Sequence, residues 1–111
     1  MTKAKIRDTV KKKSDISLLF REGKRIPSSR LILVFRENGL EKSRFLFCAD
    51  RSHKNSVQVN KTKRVLRACL LAVDFVPLGF DIAFVAKRSY VEIDYPRRVE
   101  IMTSLLRRIR K

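Results

Sequence analysis

The segment SVQVNKTKRVLRACLLAV, residues 56–73, decides how this chain folds. From Val57 to Val73 it holds no Gly, Pro or acid, so nothing interrupts a helix. On a helical wheel at about 100° per residue, Asn60, Lys61, Lys63, Arg64 and Arg67 share one arc of about 160°. Val59, Val65, Leu66, Cys69, Leu70 and Val73 occupy the opposite arc. A helix so divided packs one face on a sheet and holds the other as a row of cations in water. No carboxylate balances that row: Arg51 to Val73 contains six Lys or Arg and no Asp or Glu. Like charges at i, i+3 and i+4 destabilise a helix slightly, so their placement calls for a partner, and phosphate is the natural one.

Upstream, Ser52–Ser56 is a polar loop and Ser43–Asp50 (SRFLFCAD) reads as a strand. Asn38-Gly39 is a hairpin turn signal, which predicts that Arg30–Glu37 (RLILVFRE) is the partner strand. Downstream, Pro77 and Gly79 break the chain and Phe80–Ala86 (FDIAFVA) is a further strand. Asp94–Lys111 is predicted as a closing helix with Tyr95, Val99, Met102, Leu105, Leu106 and Ile109 along one stripe. Toward the N-terminus, Pro27 restricts Lys24–Ser28 to a short edge strand or turn. Ser14 is a candidate N-cap for a first helix through Ile16, Leu19 and Phe20, with Gly23 as its stop. Residues 1–13 carry six Lys or Arg and suggest a flexible basic N-terminal arm. The expected fold class is α+β: a single-domain α/β sandwich over 14–111, in the order α-β-β-β-α-β-α, with helices packed on a four-stranded sheet.

At 111 residues and 44% hydrophobic, the chain has the length and composition for one core. Its 27 Lys and Arg against 11 Asp and Glu give a net charge of +16, a field that attracts polyanions. A membrane partner would need an apolar anchor beside the charge. The longest apolar run is Ala68–Val73, far below the roughly 20 residues of a spanning helix, so a cytoplasmic protein is expected. Cys48 and Cys69 lie in apolar segments without Cys or His at ligand spacing, and are expected to be buried reduced thiols. The acids are scattered singly from Asp8 to Glu100, and the only His, His53, is expected in the polar loop, solvated or against phosphate. Two-metal hydrolysis needs closely placed carboxylates, so no catalytic residue and no metal site is expected in the protein itself. A duplex-DNA reader usually pairs two helices around a short turn, whereas this basic helix is flanked by strands, so no DNA partner is expected.

Asn55, Asn60-Lys61, Lys63-Arg64 and Arg67, preceded by Arg44 and a strand, resemble the signature of the protein subunit of bacterial ribonuclease P. In that family a strand leads into a Gly-Asn loop, and the helix carries Arg-Asn-Arg, a Lys-Arg pair and a further Arg. The matching positions are Val59, Asn60, Lys61, Lys63, Arg64 and Arg67. Lys11, Lys12, Asp15, Ile16, Phe20 and Gly23 resemble the family's N-terminal Lys-Lys and Asp-Phe-x-x-x-Phe helix, and Gly79–Lys87 its Asp-containing strand. Val59 and Lys61 replace the two Arg of the triplet, Lys54 the loop Gly and Ile16 an aromatic, the pattern of a divergent member. Lys in place of Arg keeps the charge but not the bidentate geometry.

The resemblance implies a left-handed β-α-β crossover and a protein that assists RNA-catalysed removal of the 5′ leader from precursor tRNA. Arg51, Asn55, Asn60, Lys61, Lys63, Arg64 and Arg67 would bind the ribonuclease P RNA. Ile16, Phe20, Phe35, Lys11 and Lys12 would bind the leader. The chain would then be a subunit of an endoribonuclease whose Mg2+ is held by the RNA, with no obligatory protein partner. The alternative is an architectural ribosomal or ribosome-associated RNA-binding protein.

Overall fold

Leu31–Glu37, Arg44–Ala49 and Phe80–Ala86 carry apolar residues at successive positions, so any sheet they form must be covered on both faces. The computed structural model, which describes residues 9–110, shows that cover. The elements are α1 (Lys13–Glu22), β1 (Lys24–Ile26), β2 (Leu31–Glu37), β3 (Arg44–Ala49), α2 (Ser56–Ala72), β4 (Phe80–Ala86), a 3-10 turn (Arg88–Tyr90) and α3 (Tyr95–Arg107). The order is the one expected. The sheet runs β1-β2-β4-β3, with β2 antiparallel to β1 and β4, and β3 parallel to β4.

The hairpin expected at Asn38-Gly39 does not form: β4 lies between β2 and β3. Six residues, 38–43, join the two strands, where a hairpin of this turn type has two in its loop. That length steps over one strand, a distance of about 10 Å between alternate strands. The turn instead wraps the start of β4. Asn38 N–H donates to Gly79 O at 3.0 Å, and Asn38 Nδ2 donates to Asp81 Oδ1 at 3.1 Å. Gly39, at φ +71°, supplies the left-handed turn that the sequence signalled. With six of its seven residues buried, β4 has the least to gain from an edge and takes the centre.

One face of the sheet, with Leu31, Leu33, Phe35, Phe45, Phe47, Ile82 and Phe84, forms the main core with α2 and α3. The other face carries a smaller cluster in which Leu19 of α1 packs on Val34 and Ala83, joined by Phe20, Ile32 and Leu46. Gly23 ends α1 as expected, though by proximity: a Cβ there would lie 2.3 Å from Leu19 O and 2.9 Å from Val34 Cγ1. Three boundaries differ from expectation. Lys12, not Ser14, holds the cap position of α1 and makes no side-chain cap bond. Part of the basic arm is fixed, since Thr9 bridges Phe45 and Val10 is buried with its N–H on Phe45 O at 3.0 Å, covering the β3 edge; residues 1–8 of the arm lie outside the described residues. On the closing helix Tyr95 is exposed, while Ile109 is buried beyond the helix end.

Candidate nucleic-acid interface

Helix α2 owes its start to a pair of reciprocal bonds. Asn55 Oδ1 accepts from Gln58 N at 2.9 Å, and Gln58 Oε1 accepts from Lys54 N at 2.8 Å. Its apolar side, with Leu66, Cys69 and Leu70, is buried, and Asn60, Lys61, Lys63, Arg64 and Arg67 are all exposed, as the wheel predicts. The side chains of Asn60, Lys61, Lys63 and Arg64 make no hydrogen bond or ion pair among the described residues. Arg67 differs: its guanidinium lies over the Phe47 ring, 5.5 Å from the centroid, which holds it in place while leaving its N–H edge in solvent. Arg51 and Lys54 extend the cationic surface from the loop before the helix. Asn55 belongs to the same surface, but its side-chain oxygen is engaged in the cap.

His53 is neither solvated nor turned toward a phosphate. Its side chain is 1% exposed, with Nδ1 donating to the Asp50 carbonyl at 3.1 Å and Nε2 meeting Thr62 Oγ1 at 2.6 Å. The ring pins the loop 50–53 onto α2, and both nitrogens are committed. Thr62, buried within an otherwise cationic stretch, gave no sign in the sequence of this role. Arg88 is a cation that sequence reasoning missed. Its N–H donates to Ser52 Oγ at 2.8 Å, and with Lys61 it lines a pocket of about 210 Å³ beside the start of α2.

On the α1 face, strand register sets three rows across β2, β4 and β3: Arg36–Asp81–Arg44, Val34–Ala83–Leu46 and Ile32–Val85–Cys48. Asp15, Leu19 and Glu22 form one stripe of α1, and Leu19 packs on the middle row. Ile16 and Phe20 form the adjacent stripe, and Phe20, like Ile32 and Leu46, packs against the cluster of Leu19, Val34 and Ala83. The row Ile32–Val85–Cys48 is only half-buried. It leaves this face of the sheet open beside α1, a candidate cleft of which the row would be the floor, with Lys11 and Lys12 exposed at the helix start. Phe35 is not in this cleft: it is 5% exposed, on the opposite face, edge-on to Phe80 with centroids 5.8 Å apart. Both faces of β2 are apolar, so alternation alone cannot tell which one Phe35 takes.

The two surfaces meet at the β3 edge. Burial pushes the Cys48 thiol pKa up, and the charge of Lys63 opposes that rise, so the cationic face of α2 stands beside the cleft floor. Cys69 and Tyr90 are also pushed up, first by burial, and Tyr90 Oη donates to Arg98 O at 2.8 Å; both serve the core. No helix among the described residues is long and apolar enough to cross a membrane.

The family model for ribonuclease P matches residues 5–110. The ribonuclease P protein component of Pelotomaculum thermopropionicum is 30% identical over 105 residues, covering 94% of each chain. That of Thermotoga maritima is 30% identical over 108 residues, covering 93% of this chain and 92% of its own. Among solved structures, the Thermotoga maritima RNase P protein superposes with a TM-score of 0.83 at 28% identity, over 95% of this chain and 100% of that one. The Staphylococcus aureus RNase P protein, at 18% identity and a TM-score of 0.76, repeats the fold.

Proposed function

The chain belongs to the ribonuclease P protein family, and from that membership we propose that its two surfaces hold two RNAs, the exposed face of α2 a catalytic RNA and the α1 cleft the 5′ leader of precursor tRNA. Relatives carrying the name ribonuclease P protein component belong to a tRNA-processing ribonuclease. The observation that carries the proposal is the row Asn60, Lys61, Lys63, Arg64: exposed, unpaired and free of any acid on its helix.

Each group has a task that its chemistry suits. Arg64 and Arg67 present forked donors to phosphate oxygens, with Arg67 pre-placed by Phe47. Lys61 and Lys63 act as point charges, and Asn60 supplies a directed hydrogen bond. In the cleft, Phe20 offers a face for an unpaired base, Ile16 and the Ile32–Val85–Cys48 floor exclude water, and Lys11 and Lys12 attract the backbone. Such contacts read a single strand without strong sequence preference.

The chemical step is assigned to the RNA. Asp15 and Asp81 are both engaged by Arg44, and His53 is committed on both nitrogens. The Mg2+ that phosphodiester hydrolysis uses would therefore be bound by the RNA subunit. The test mixes the purified protein with the ribonuclease P RNA of its own organism and a precursor tRNA at low magnesium. Stimulated leader removal is the expected result. No stimulation, or cleavage by the protein alone, refutes the assignment, and co-purification with ribosomal RNA would favour the architectural alternative.

A further inference from the structure

α1 has ten residues, shorter than the roughly 12 to 15 at which an isolated helix becomes marginally stable. Its apolar footing is narrow: Leu19 alone is buried, with Ile16, Leu18 and Phe20 half-buried beside it. Packing on so few side chains leaves the angle of a helix over a sheet weakly specified.

Ion pairs supply what the packing lacks. Asp81, 4% exposed, accepts two charge-assisted bonds from Arg44, Nε to Oδ1 at 2.8 Å and Nη2 to Oδ2 at 2.7 Å. Asn38 Nδ2 adds a third bond to Asp81 Oδ1 at 3.1 Å. The guanidinium is thus locked to the centre of the sheet, and its remaining nitrogen, Nη1, reaches Asp15 Oδ2 in the first turn of α1 at 3.6 Å. At the other end of α1, Glu22 Oε1 stands 3.9 Å from Arg36 Nε. Arg36 and Arg44 flank Asp81 in the same row, so α1 lies along that row, tethered near each end.

We propose that Arg44 is the positioning residue of the cleft: anchored on Asp81, it holds Asp15 and so sets the placement of Ile16 and Phe20 over the Ile32–Val85–Cys48 floor. An arginine engaged by two carboxylates is not a phosphate ligand, so Arg44 acts through α1 and not by touching RNA. The inference rests on the leader-cleft reading above.

The experiment uses the full chain assembled with its ribonuclease P RNA. It compares affinity for precursor tRNA carrying a leader of about five nucleotides with that for the same tRNA trimmed to a single leader nucleotide. If the wild type does not distinguish the two, the leader-cleft reading fails. If it does, Asp15→Asn and Arg44→Lys each reduce the preference roughly two- to fivefold, the range of one solvent-accessible ion pair. The double variant loses no more than either single variant, and Asp15→Glu restores the preference. The cleavage rate at saturating substrate and the affinity for the ribonuclease P RNA stay at wild-type values. A preference unchanged in both single variants, an additive loss in the double, or a loss that appears only with weakened RNA assembly overturns the proposal.

Discussion

Replacing Lys61, Lys63 and Arg64 together by Ala removes half of the six cations exposed between Arg51 and Arg67. If all six neutralise phosphates, the log–log dependence of RNA affinity on salt has a slope of about −5, and the triple variant retains about −3. Between about 50 and 200 mM salt, wild-type affinity then falls about 10³-fold and that of the variant about 60-fold. Fluorescence anisotropy titrations with the ribonuclease P RNA at several salt concentrations give both slopes. The fold should not suffer: the three side chains are exposed, Ala favours helix, and removing like charges relieves repulsion, so unfolding free energy should stay within about 0.5 kcal/mol. Parallel lines for the two proteins would show that the removed charges are not the ones releasing counterions.

Other perturbations test the frame that holds the site. Asp81→Ala leaves Arg44 without its buried partner, although the guanidinium can turn partly to water, and urea unfolding should show a loss of about 2–4 kcal/mol with an unchanged m-value; a loss below about 0.5 kcal/mol would show that the pair is not structural. Gly23→Ala should destabilise by about 1–3 kcal/mol, although its φ of −69° is open to any residue, because the new Cβ meets Leu19 O and Val34; wild-type thermal stability would contradict this. Burial alone would raise the Asp50 pKa, but hydrogen bonds from Ser52 and the nearby His53 outweigh it and hold the carboxyl below its ordinary 3.8. A lowered folded-state value stabilises above that ordinary pKa and is lost as pH falls through the lowered one, so the stability advantage of wild type over Asp50→Asn should be present near pH 6 and shrink below about pH 3.8; an advantage independent of pH would contradict it.

Much of the molecule was legible in the sequence where one physical signal dominates. The acid-free run 57–73 with its divided wheel gave α2 and its solvent face, and Pro27 beside three strand residues gave the edge strand β1. Pairing order was not legible, because the Asn38-Gly39 turn encodes local backbone geometry and says nothing of which strand enters between its arms. Only the six-residue separation of β2 and β3 hinted at an inserted neighbour. Phe35 was misplaced for a related reason: a strand apolar on both faces carries no period from which to choose one. The Asn55–Gln58 spacing is readable as a cap beside the RNA role that the resemblance gives Asn55, and the burial of His53 depends on Thr62, nine residues away and hidden within a charged run.

Site-specific photo-crosslinking tests the division of the surface between two RNAs most directly. A photoreactive residue is placed at 63 on α2, at 16 on α1, or at the exposed Ser104 of α3, in the complex with ribonuclease P RNA and precursor tRNA. Crosslinks are expected from 63 to the ribonuclease P RNA, from 16 to the leader, and from 104 to neither. Leader crosslinks from 63, or equal yields from all three positions, would contradict that division.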